Sequence, residues 1–286
     1  MENYDFKFPR TLQNRLIQGS ECQVIKTSRN HVILHKDYNC PISKVYQIDL
    51  IDDSFSEIKQ KLGYIINEKF ARMCAVNTDL VCPIMSMDIH QPTETPSRFN
   101  IYLNIMNYDM DLGVLIGEFS NIITPQAAQN IINGLISIGI YLEMCGIVHG
   151  NIEPSDILCL TNRDEHGNIT NVSVALADFE DTLFIDLWNY GKDPPKRTDG
   201  YHNRFNYAPP PPGSMNLKEY YKKYDTYSIG MCISLFLQSI PNSIYKSVEG
   251  DKFEIQDLIN NSHEQRIMCT DILRRRNIPP QPAPYI

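Results

Sequence analysis

The stretch Gly146-Ile-Val-His-Gly-Asn-Ile-Glu-Pro-Ser-Asp-Ile-Leu-Cys-Leu160 decides how the rest of the chain is read. Two apolar runs, Ile147-Val148 and Ile157–Leu160, enclose a polar turn in which Asn151, Glu153, Ser155 and Asp156 crowd around Pro154. Short β-branched runs broken by Gly, Pro and small polar residues predict strand, tight loop, strand. Such a loop is either a surface turn or a place where several polar side chains are held for chemistry.

Working outward, the pattern divides in two. Upstream, "NRLIQG", "CQVIKTS" and "HVILHKDY" read as short strands separated by polar turns, and "VYQIDLID" adds a further one. A helix is predicted over 54–77. Ile58, Leu62, Ile65, Ile66, Phe70, Met73 and Cys74 recur there at three- and four-residue steps, and Ser54 or Ser56 is placed to cap it. "LVCPIMSMDI" and "FNIYLNIMNY" supply two more strands across a Pro-containing linker. Downstream the pattern is mainly helical. Thr124 as N-cap and Pro125 at the first helical position open a long apolar helix, and "YDTYSIGMCISLFLQ" forms another. The Pro-rich tail "IPPQPAPYI" cannot be helical.

The composition sets limits. The chain has 286 residues, 42% hydrophobic and 21% charged, which suits a globular protein with an ordinary core. A net charge of −8 argues against a nucleic-acid binder, which needs a basic face, and the Arg274–Arg276 run reads as a solvated helix end. None of the eight cysteines forms a CxxC pair, so no zinc site is expected. Most lie in apolar runs and read as small buried hydrophobes of a reducing compartment, cytoplasmic or nuclear. The N-terminus lacks the basic and apolar regions of a secretory signal. No apolar run is long enough for a membrane span.

In this order and spacing, five segments together resemble the protein kinase family. His149-Gly-Asn-Ile-Glu-Pro-Ser-Asp-Ile-Leu158 is similar to the catalytic loop H-R-D-L-K-P-E-N-I-L. "ALADFED" (175–181) resembles the strand ending in D-F-G, and "NEKFARMCAV" resembles the end of the N-lobe helix. "YAPPPPG" stands where A-P-E is found, and "YDTYSIGMCISLFL" resembles the helix whose Asp anchors the catalytic loop. The similarity to viral or parasite kinase-like proteins, of the rhoptry or poxvirus type, is loose. The resemblance implies a bilobal α+β fold in a single kinase-like domain over 1–286. It divides into an antiparallel β-rich N-lobe (1–106) with one helix, a hinge (107–111) and a mainly helical C-lobe (112–286).

Fold is not activity, so each position is read separately. The resemblance puts Asn151 at the catalytic base, where an amide cannot accept a proton as a carboxylate does. It puts Glu153 where a Lys would steady the γ-phosphate, a charge reversal, and Gly150 where an Arg would receive a phosphorylated segment. Asp156 and Asp178 match the two Mg²⁺ positions, Phe179 follows, and Glu180 replaces the D-F-G glycine. The acids at 156, 178, 180 and 181 are read as a solvated rim, with a divalent-cation site as the other reading. For the nucleotide, the resemblance implies Gly19 as the remaining loop glycine, Val24 after that loop, and Lys36 (His35 in the other register) as the strand lysine. It adds Glu68 as that lysine's helix partner, Met106 as gatekeeper and Leu158 beneath the nucleotide. His149, Phe179 and Asp225 are expected to be structural. Pro210 stands where A-P-E has Glu, which removes the usual Glu–Arg tie.

The reading that follows is a pseudokinase, catalytically impaired, with no cofactor expected and other proteins as partners. Trp188, Tyr190 and Tyr201 suggest either a docking surface or packing on their own domain. Two alternatives stand beside it. One is an active atypical Ser/Thr kinase holding Mg-ATP. The other is an ATP-dependent non-kinase transferase on the same scaffold.

Overall fold

A computed structural model describes residues 22–26, 31–35, 42–73, 79–106, 108–180, 182–185, 207, 209, 217–248, 252–262 and 264–275. The chain forms two compact units: residues 1–72 with 82–107, and residues 73–81 with 108–286.

The first unit is a five-stranded antiparallel sheet with one helix. Its strands are β1 (Cys22–Lys26), β2 (His31–His35), β3 (Ile42–Asp49), β4 (Ile84–His90) and β5 (Arg98–Ile105), in the order β1-β2-β3-β5-β4. Eight consecutive residue pairs join β3 to β5, from Ile42 opposite Ile105 to Asp49 opposite Arg98. Alternate residues of these strands, Tyr46, Ile48, Ile101 and Leu103, form the core with Ile65 of helix α1 (Phe55–Met73). Ser54 caps α1: its Oγ accepts from the Glu57 N–H (3.3 Å), and Glu57 Oε2 accepts the Ser54 N–H in return (2.7 Å). The apolar stripe expected on α1 is buried along one flank only. Ile65 is buried and Ile58 half-buried, while Leu62, Ile66 and Phe70 face solvent. Helical spacing marks which residues share a side; the width of the covered strip is set by the sheet beneath.

The second unit starts earlier than the sequence suggests. The Leu176 N–H donates to Leu80 O (2.8 Å) and Val81 bridges Leu176, so the segment before β4 belongs with β9 (Ile169–Leu176). Four of the five residues expected as hinge also belong here. The Asp109 N–H donates to Cys159 O (3.0 Å), and β6 (Met110–Asp111) pairs with β8 (Ile157–Arg163), itself paired with β9. Helix α2 (Pro125–Met144) is capped by Thr124, whose Oγ1 accepts the Ala127 N–H (3.3 Å), and packs on β9. Two-residue strands β7 (Ile147–Val148) and β10 (Leu183–Phe184) pair beside helices α3 (Leu217–Lys222) and α4 (Tyr224–Ser239). Helices α5 (Asn242–Ser247), α6 (Lys252–Leu258) and α7 (Cys269–Arg275) follow. Arg274 and Arg275 are exposed and pair with Asp271 (2.9 Å) and Asp257 (2.6 Å). Cys82, Cys159, Cys232 and Cys269 are buried, and Cys145 is half-buried. Among the described residues no helix is long and apolar enough to cross a membrane.

Candidate functional site

The loop after β7 is held from two sides. From α4, the Asp225 carboxylate accepts the backbone N–H groups of His149 (2.5 Å) and Gly150 (2.9 Å). From the end of β9, Ala177 O accepts His149 Nε2–H (2.8 Å), while His149 Nδ1 accepts the Asn151 N–H (3.4 Å). These partners place the ring proton on Nε2. The His149 ring is fully buried and meets Phe179 edge-on, with centroids 4.9 Å apart. Gly150 has φ +83°, a region glycine enters without strain. Glycine at position 150 therefore serves the turn of the backbone.

Beyond Gly150, Asn151 is half-buried and Ile152 is buried. A tight turn then closes on itself. The Glu153 N–H donates to Asp156 Oδ2 (3.2 Å) and the Asp156 N–H to Glu153 O (2.9 Å). Glu153 Oε1 accepts the Ser155 hydroxyl (2.9 Å). Asp156 O accepts the Ala177 N–H (2.9 Å), which ties this turn to the strand leading into Asp178. Asp178 is the one non-glycine with positive φ (+64°) among the described residues, in the left-handed region that Asp tolerates better than most.

The acids are not the solvated rim that the sequence suggested. Asp156 and Glu180 are buried and Asp178 is half-buried; Asp181 lies outside the described residues. Carboxylate oxygens of Asp178 and Glu180 lie within 4.8 Å of one another. The loop's negative charge is felt nearby. Burial, then Cys232 and Glu153, pushes the Tyr207 phenol up to about 12. Burial, then Asp156 and Glu153, raises the Cys232 thiol.

In the first unit Lys44, on β3, stands beside Glu68, in the place where the sequence suggested Lys36. Lys44 Nζ lies 2.7 Å from Glu68 Oε1, and Arg72 NH2 lies 3.1 Å from Oε2. Glu68 and Lys44 are both buried. Lys36 and Gly19 lie outside the described residues. The displacement has a plain cause. The strand long enough to pair along the whole of β5 is β3, so "HVILH", where the lysine was sought, becomes β2. Val24 then sits in β1, opposite Ile33, instead of following the loop. Gly19 precedes β1, while the β1–β2 connection is Thr27-Ser-Arg-Asn30, which contains no glycine. Met106, at the end of β5, is half-buried and its N–H donates to Pro83 O (3.3 Å). Leu158 is half-buried on β8, opposite Asp111 and Ala175.

The comparisons can now be set against this geometry. No protein-family model matches the chain, and no curated protein matches it. Among solved structures, it is similar to the MAP kinase LmaMPK10 from Leishmania major. The TM-score is 0.57 at 13% identity, over 94% of this chain and 86% of that one. The chain has a protein kinase-like fold. At that identity the likeness speaks for the fold alone, and the kinase-like second unit keeps its loop anchored whatever its chemistry.

Several buried charges of this kinase-like chain went unread in the sequence. Arg72 lies four residues after Glu68, a helical ion-pair spacing that was legible. Glu143, at the end of α2, accepts the Cys269 (2.7 Å) and Thr270 (2.9 Å) N–H groups and the Thr226 hydroxyl (2.8 Å). Burial raises its pKa despite these donors. Arg266 is buried over the Tyr227 ring (4.8 Å) and donates to Asn260 O (3.0 Å) and Lys223 O (3.4 Å). Burial lowers its pKa. Neither Glu143 nor Arg266 carries a local sequence signal, because their partners are remote. Trp188, Tyr190, Tyr201 and Pro210 lie outside the described residues.

Proposed function

We propose that this chain is a catalytically impaired kinase-like protein whose work is to bind other proteins. The observation that carries this reading is the loop at 149–156. Its anchors are intact, with Asp225 on two backbone N–H groups and His149 on Ala177 O. Its reactive positions are not: Asn151 stands at the base and the Glu153 carboxylate at the phosphate-steadying Lys. Selection for a folded scaffold without phosphoryl transfer keeps the first set and releases the second. Losing a positioned base costs on the order of 10²–10⁴-fold in rate. A carboxylate in place of the Lys adds repulsion toward a triphosphate. The β1–β2 connection has no glycine to let backbone N–H groups approach phosphates.

One observation favours a second reading, an active atypical Ser/Thr kinase. The buried Lys44–Glu68 pair at 2.7 Å is the arrangement that positions a lysine on the α/β-phosphates. Asp156 and Asp178 are oxygen donors suited to Mg²⁺. When bound, Mg-ATP would supply the transferable phosphoryl group. In this chain Lys44 would meet its phosphates, and Asp156 and Asp178 its metal. Nothing specific favours a non-kinase transferase.

Two measurements decide. Melting of the purified chain with and without millimolar Mg-ATP reads binding, since a ligand at 100 times its Kd adds about 2.7 kcal/mol. Transfer of the γ-phosphate to protein substrates reads activity, and transfer at the usual kinase turnover of about 1–100 per second refutes the scaffold reading. Affinity capture with Asp178→Ala is expected to return the same partners as the wild type. Their loss from a folded variant also counts against it.

A further inference from the structure

We infer that the outer face of helix α1 is a docking strip for an amphipathic helix of another protein, one that carries carboxylates along its flanks. The inference stands whether or not the loop at 149–156 transfers phosphate. Helix α1 bears two apolar stripes. Ile65, with Ile58 and Tyr64 beside it, packs on the sheet and accounts for the first. Phe55, Leu62, Ile66 and Phe70 form the second, and all four are exposed, Phe55 at 83% and Ile66 at 63%. At about 100° per residue these four fall within roughly 80° of arc and run along roughly 22 Å of helix. A helix needs one apolar stripe to hold its place on a sheet; a second one left in solvent marks an interaction surface.

Charge and backbone together say what fits there. By the same geometry Lys59 lies within the strip and Lys69 at its edge. Both are exposed, and neither has an ion pair among the described residues. The acids of α1 lie on the opposite side, where Glu57 serves the Ser54 cap and Glu68 meets Lys44 and Arg72. The strip is therefore apolar with cations alone, and its complement is an apolar seam with acidic flanks. Gly63 borders the strip between Lys59 and Ile66. Glycine weakens a helix interior relative to alanine, and nothing lies within 4 Å of where a Cβ at 63 would stand. Packing inside the chain does not call for it. It leaves a dent in which the backbone of a second helix can come close.

The same charges disfavour other occupants. A second copy laid antiparallel, with Leu62 opposite Ile66, would set Lys59 opposite Lys69, like charge against like. Two lysines on a chain of net charge −8 fall short of the cation density that draws a helix onto an anionic bilayer.

The test uses the full chain and a labelled, Ala-rich peptide of about 18 residues with a Leu/Ile seam and Glu flanks, read by fluorescence anisotropy. It is expected to bind below roughly 100 µM, and the same peptide with Lys flanks at least tenfold more weakly. Ile66→Glu is expected to weaken binding at least tenfold without lowering the melting temperature. Lys59→Glu with Lys69→Glu is expected to reverse the preference between the two peptides. Gly63→Ala is expected to raise the melting temperature and weaken binding at least threefold. Failure to bind, equal binding of both peptides, a preference that the double reversal leaves standing, or binding that Ile66→Glu or Gly63→Ala leaves unchanged overturns the inference. So does a lower melting temperature in Ile66→Glu, which means that the chain itself covers the strip. A dimer in sedimentation, or capture on phosphatidylserine vesicles, that Ile66→Glu abolishes overturns it too.

Discussion

Asp225 offers the sharpest test of how the loop is held. Its side chain is buried and its two oxygens accept one backbone N–H each, from His149 and Gly150, both buried. Asp225→Ala orphans both donors. A buried donor left unsatisfied costs about 1–3 kcal/mol, so the expected loss is roughly 2–5 kcal/mol. Asp225→Asn keeps one acceptor oxygen and turns an NH2 toward the other donor, so about half of that loss is expected. Domains are stable by only about 5–15 kcal/mol, and each kcal/mol moves Tm by about 2–4 °C in a larger domain. The alanine variant should therefore melt roughly 4–20 °C lower and the asparagine variant between it and the wild type. The assay is thermal unfolding followed by circular dichroism, with guanidinium titration where unfolding is reversible. An alanine variant that melts with the wild type refutes the anchoring argument. An asparagine variant as weak as alanine refutes the assignment of one donor to each oxygen.

Three further outcomes follow from the buried groups. Lys44→Met removes one of the two cations beside Glu68 and is expected to cost up to about 3–5 kcal/mol, and Lys44→Met with Glu68→Leu is expected to cost less than the sum of the two single changes, although Arg72 then loses its pairing with Glu68. A denaturant double-mutant cycle measures this, and additive losses contradict the pairing. Burial holds the Glu143 pKa above its ordinary 4.5, so the folded state binds the proton more tightly than the unfolded chain. The wild type then loses stability as pH rises from about 4.5 through the folded pKa, and Glu143→Gln does not. Stability curves across that window should show the variant gaining relative to the wild type with rising pH; the opposite slope contradicts the burial argument. At Gly230 an added Cβ would stand 2.6 Å from Ile259 Cγ2 and 2.9 Å from Leu258 Cβ. Gly230→Ala is therefore expected to cost about 1–3 kcal/mol by overpacking where α4 meets α6, read as a lower Tm.

Much of the architecture was legible because it is local. The Thr124-Pro125 start of α2, the Ser54 cap of α1, the alternating β5 and the apolar α4 each depend on neighbours within a few residues. The polar turn between β7 and β8 was legible for the same reason, along with the substitutions inside it. The lysine was not. Lys36 and Lys44 both end or enter short apolar runs, and the choice between them turns on which strand lies along β5 and under Glu68. The acids were misread for a similar reason. Charge in a sequence predicts solvent, and nothing near Asp156 or Glu180 announces burial.

The sequence by itself determined the chemistry on offer: an amide at 151, a carboxylate at 153 and glycine at 150, whatever the fold does with them. Only the tertiary structure decided that a carboxylate 75 residues away pins that loop, that Lys44 meets Glu68, and that one flank of α1 stays uncovered. Side-chain identity is written residue by residue. Burial and ion pairing depend on strand order and helix docking, which bring together residues that share no local pattern.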